Sequence, residues 1–161
     1  MNYLGFERKD AKATVDALNW LLASYHIYYQ NLRNFHWNIE GENFFDLHAQ
    51  FEELYHDARL KIDAIAERIL SLRYRPISKI SDLLDISVVK EADILQEDRA
   101  MILCILNNHK VLIRQMRDVL KKANAIEDDG TIDMIGSYLQ DLEKKSWMLE
   151  AWSRSKVSIL E

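Results

Sequence analysis

A chain of 161 residues with one proline, four glycines and one cysteine has room for one buried core. So few breakers exclude a turn-rich all-β architecture, and the lone Cys104 excludes a disulfide framework. The formal charge of −5 argues against a polyanion as the main partner and for cations.

No apolar run approaches the roughly 18 residues of a membrane span, and the start, MNYLGFERKD, lacks the pattern of a signal peptide. A cytoplasmic location and a single domain over residues 1–161 are therefore expected. After a short polar lead, Val15, Leu18, Leu22, Tyr25, Tyr29 and Leu32 recur at steps of three and four. That is one face of a helix running from about Ala11 to Asn38. Gly41 stops it, and Asn43 is the expected N-cap of a second helix that runs to about Leu72. Phe44, Leu47, Phe51, Leu54, Ala58, Ile62, Ile65 and Ile69 form its stripe.

The connection RYRPISKISDLLDIS follows, with Pro76 barring the helix beyond Arg75. Ser81 to Leu84 reads as one short turn of helix. A connection of this length is expected to cover an interface. A third long helix is expected from about Val89 to Ala123, and a fourth from about Ile132 to Ser153. The fold class is thus all-α: a four-helix bundle with a short extra helix between its second and third long helices.

The chemistry sits between Asn34 and Glu67. His36 and His48 stand twelve residues apart, followed by Glu52, Asp63 and Glu67. Imidazole nitrogen with carboxylate oxygen is a ligand set suited to iron(II). His48 and Glu52 share one helix face, as do Asp63 and Glu67. Yet Asp63 lies roughly 22 Å along the helix from His48, too far for one metal. Either these are separate sites, or the second helices of two subunits lie antiparallel across a two-fold axis. A plainer reading competes: His36 as a hydrogen-bonded core histidine, with Asp63 and Glu67 paired to Arg59 and Arg68. Glu53 and His56 form one Glu-x-x-His step, the unit an intrasubunit di-iron bundle uses twice. No second copy is present, so both read as surface residues.

HWNIEGENFFDLH at 36–48, DAIAERI at 63–69 and GTIDMIGSYLQDLEKKSWMLEAW at 130–152 together resemble the Dps family, the dodecameric mini-ferritins. The resemblance implies a ferritin-like bundle and a ferroxidase centre between subunits. His36 and His48 would come from one chain, and Glu52, Asp63 and Glu67 from its two-fold partner. Family members commonly carry Asp where this chain has Glu52. Trp37 and Trp147 match family tryptophans near the centre. Asp129 and Asp133 match acids of a pore that draws iron in, and Asn124 stands where some members have a further Asp. Asp128, Asp129 and Asp133 also suit the start of a helix for its dipole alone.

The implied activity is oxidation of iron(II), preferably by hydrogen peroxide. Hard carboxylate oxygens favour iron(III), and two irons can pass both electrons to one peroxide without releasing hydroxyl radical. Ferric mineral would be stored in the shell, protecting against oxidative damage. The second class weighed is a DNA-compacting protein. Many family members bind DNA through a lysine-rich tail. Here Arg8, Lys9 and Lys12 are offset by Glu7 and Asp10, and the C-terminal tail offers only Arg154 and Lys156 against Glu161. Weak or absent DNA binding is expected.

Overall fold

The computed structural model describes residues 3–95 and 97–154, so Lys156 and Glu161 of the C-terminal tail lie outside the described residues. The helices are α1 (Lys12–Asn38), α2 (Phe44–Ser71), α3 (Ile80–Ile86), α4 (Asp98–Asn124) and α5 (Asp129–Ser153). α1 packs against α2 and α4, α4 against α5, and α3 crosses α1. The apolar stripes explain the arrangement, because α1 sits innermost and buries Leu18, Leu21, Leu22, Tyr25, Tyr28, Leu32 and Phe35. They meet Phe51, Leu54, Ile65 and Ile69 from α2 and Ile102, Ile105, Leu112 and Met116 from α4.

The expected helices are present, with corrected starts. The helix expected from Val89 begins at Asp98. The preceding backbone is captured by amide side chains of α1 instead of closing a helical turn. Asn31 donates to Lys90 O at 2.9 Å and accepts from Ala92 N at 2.8 Å, and Asn34 donates to Ala92 O at 2.9 Å. The helix expected from Ile132 begins at Asp129, three residues earlier, because the buried Asp128 caps it through Thr131 N. Asn43 does occupy the N-cap position of α2, but its side chain does no capping. It donates to Asp98 Oδ2 at 2.6 Å, tying the starts of α2 and α4 together.

Between α1 and α2 the chain reverses at Gly41, where φ is +98°, a value an L side chain rarely adopts. The lead is not a free arm. Tyr3 donates to Ser71 O at 2.9 Å, and Tyr74 donates to Arg8 O at 3.0 Å. The Arg8 guanidinium lies over the Tyr74 ring and that of Arg73 over Tyr3, at 4.4 and 4.8 Å from the centroids.

Polar clusters also lie between the helices. Lys61 reaches Asp57 at 2.7 Å and Asp141 at 2.5 Å, and Lys145 reaches the same two carboxylates at 2.9 and 3.0 Å. The four groups close a ring of alternating charge. Burial pushes Asp141 up, but hydrogen bonds from Lys61 and Lys145 outweigh it and hold the carboxyl below its usual range. Nearby, Tyr28 donates to His109 Nε2 at 2.8 Å, and His109 Nδ1 donates to Ser146 Oγ at 2.8 Å. Ser146 spends its only proton on Leu142 O, at 2.6 Å, which fixes the histidine tautomer.

Candidate metal centre

The tight turn at Gly41 folds α2 back on α1 and lays the His48 ring on that of His36, centroids 3.8 Å apart and planes within 21°. Their polar contacts are reciprocal. His36 Nδ1 bonds His48 O at 2.8 Å, and His48 Nδ1 bonds His36 O at 2.8 Å. A carbonyl oxygen only accepts, so each Nδ1 carries the proton. Each Nε2 is left with its lone pair for a metal. Phe44 stacks on His48 at 4.9 Å, and Tyr55 meets His36 edge-on at 5.2 Å. Both rings are thereby held in place.

Glu52 stands one turn beyond His48 on α2, and Tyr55 donates to its Oε1 at 3.5 Å. Through Tyr55 it adjoins the histidines of its own chain, whereas the resemblance groups it with the partner's Asp63 and Glu67. Asp63 and Glu67 are exposed further along α2. The expected alternative pairing with Arg59 and Arg68 is absent: among the described residues their carboxylates make no ion pair, and Arg68 turns instead to Asp128. Within the described residues of one chain, no three His, Cys, Asp or Glu side chains converge on a metal position. The internal Glu-x-x-His step does not build one either. Glu53 and His56 are both exposed, and His56 leans toward Glu52, 3.7 Å away.

Trp37 is exposed beside His36, its ring covered by the Arg33 guanidinium at 4.6 Å. Trp147 is not brought to the histidines of its own chain. It lies exposed on α5, in a groove with Leu106 and Ile113 of α4. Asp129 and Asp133 are exposed on the first turns of α5. Behind them Arg68 pairs with the buried Asp128 and donates from Nε to Thr131 Oγ1 at 2.9 Å. Asn124 donates to Leu120 O at 2.8 Å. The clamp made by Arg68 and the reciprocal carbonyl bonds of the histidines had no local signal in the sequence. The partners lie too far apart along the chain.

Several large apolar side chains are exposed on α2 and around α3. Leu60 and Leu70 on α2 are exposed, and Ile80, Leu84 and Val88 form an exposed apolar ridge along and just beyond α3. Exposed apolar side chains in such numbers suit a contact surface.

A model of the ferritin-like domain matches residues 15–155, and that class is what the bundle defines. The chain is 33% identical to DNA protection during starvation protein 2 of Bacillus anthracis, over 88% of this chain and 97% of that one. It is 38% identical to a DNA protection during starvation protein of Brevibacillus brevis, over 84% and 91%. It superposes with TM-score 0.93 and 40% identity on a Dps protein from Vibrio cholerae O1, described as one of the ferritin-like diiron-carboxylate proteins, over 96% and 97%. The chain belongs to the Dps family of the ferritin-like superfamily.

Proposed function

We propose that the protein oxidises iron(II), preferably with hydrogen peroxide, at centres shared by two copies of the chain. Each centre takes His36, His48 and Glu52 from one copy and Asp63 and Glu67 from the other. The observation that carries this reading is the pair of Nε2 lone pairs freed by the reciprocal carbonyl bonds of His36 and His48. They stand at the edge of a face with exposed, unpaired carboxylates further along the same helix. An antiparallel pairing of two α2 helices brings the two halves together. The family points to a closed dodecameric shell that stores the ferric product.

Iron is the substrate here. The imidazoles bind it, and the carboxylates favour its higher oxidation state. Tyr55 steadies both Glu52 and His36. Asp129 and Asp133 steer incoming cations. The chain acts as one ferritin-like unit in the cytoplasm.

DNA is a minor partner in this reading, although the relatives are named for its protection. Arg8 and Arg73 are spent on aromatic faces, and the lead is pinned to the end of α2. The lead is therefore no free basic arm of the kind that displaces counterions from phosphates. The deciding experiment follows iron(II) absorbance with and without peroxide in the assembled protein and in His48→Ala and Asp63→Asn variants. Peroxide-dependent oxidation that collapses in both variants is expected. Full rates in both would refute the centre.

A further inference from the structure

Resting on the shared-centre reading, we propose a further divalent-cation site on the two-fold axis, built from His56 and Glu52 of each of two paired chains. Register gives its place. When two α2 helices run antiparallel with His48 of each opposite Asp63 and Glu67 of the other, the axis crosses both helices roughly between residues 55 and 58. His56 therefore faces its own copy. It lies on the same helical face as the centre's acids, since residues 52, 56, 60, 63 and 67 follow at steps of three and four.

The donors are already gathered within each chain. His56 Nε2 and Glu52 Oε1 are 3.7 Å apart, with side chains 57% and 47% exposed. That gap is too long for a hydrogen bond, and a small rotation of either group admits a cation between them. Glu52, where the family commonly has Asp, supplies the extra methylene that carries its carboxylate toward His56. Two imidazoles and two carboxylates around an axis make a four-donor nitrogen and oxygen set suited to zinc, cobalt or iron(II). Glu52 is directed to His56 and Tyr55. The site lies about 12 Å along the helix from His48. It adjoins the oxidation centres through Glu52, which borders both, and holds one cation between the two of a dimer.

The test uses the assembled protein with both centres disabled by His48→Ala and Asp63→Asn. Cobalt(II) is titrated by calorimetry, with visible absorbance as a second readout. One cobalt per two chains is expected to remain bound, and adding His56→Gln should remove that half-equivalent and its absorbance. A stoichiometry of one half is the mark of a site on a two-fold axis. No residual binding, or residual binding that His56→Gln leaves intact, overturns the proposal. Iron oxidation is measured on the same disabled protein. Full oxidation there would overturn the shared centre itself, and the axis with it, a failure distinguishable from loss of the cobalt site alone.

Discussion

His109 is 1% exposed, and burial lowers its pKa from 6.5 to about 3, helped by Lys145 and Lys61. The folded state thus holds it neutral while the unfolded chain takes up a proton below about 6.5. Its contribution to stability is fully present above pH 6.5 and is lost as pH falls from there toward 3. His26, whose pKa is also lowered by burial, acts in the same direction. Stability at pH 5 should be about 2 kcal/mol below that at pH 7 on account of His109. Thermal melts across that range should flatten in His109→Gln, and an unchanged slope would remove His109 as the cause. At the proposed centre, both Nε2 atoms are left free by the Nδ1–carbonyl bonds. His36→Ala and His48→Ala should each slow oxidation by about 10–100-fold or more while leaving the helical content intact. Stopped-flow absorbance and circular dichroism read the two effects separately.

Arg68 joins α2 to the first turn of α5, and the contact is close. A Cβ built on Gly130 would stand 2.9 Å from the Arg68 Nη2. Gly130→Ala should therefore cost about 1–3 kcal/mol by crowding the guanidinium. Arg68→Met should cost more, about 3–5 kcal/mol, because it strips the cation from the buried Asp128. Denaturant melts of both variants check the order. Asp129→Asn with Asp133→Asn should instead leave stability nearly unchanged and slow iron uptake at low salt, with the effect shrinking as salt is added. Unchanged uptake at low salt would leave those acids with the helix dipole alone. The helices themselves were legible from apolar periodicity, and the histidine and carboxylate spacing was legible from reach along one helix. The start of α4 was not, because Asn31 and Asn34 hold the preceding backbone from α1, a contact about sixty positions away in sequence. Nor was the charge ring between α2 and α5 legible. Asp57 with Lys61, and Asp141 with Lys145, each look like ordinary surface pairs four residues apart until the bundle brings them together.

At the scale of the assembly, the separation of His48 from Asp63 gives a direct test. Two inactive variants, His48→Ala and Asp63→Asn, are unfolded and reassembled together so that dimers form at random. In a mixed dimer one site takes both lesions and the other takes none. About a quarter of all sites should recover under two-fold symmetry, measured as oxidation rate in particles confirmed as mixed by mass spectrometry. A centre built inside one chain would recover nothing. The net charge of −5 and the pinned lead also predict that plasmid DNA is not retained in a gel at neutral pH and moderate salt. A clear shift there would show that phosphate-binding cations remain available.

The ring of Lys61, Asp57, Lys145 and Asp141 has a consequence for how the protein is made and handled. Its two ammonium groups are bridged by two carboxylates, so the chain brings its own positive charges to the seam between α2 and α5. These carboxylates then need no captured ion to neutralise them. A freshly synthesised chain can reach its native structure in a cell starved of metal. Prolonged dialysis against a chelator should leave the helical content of the bundle, read by circular dichroism, where it was.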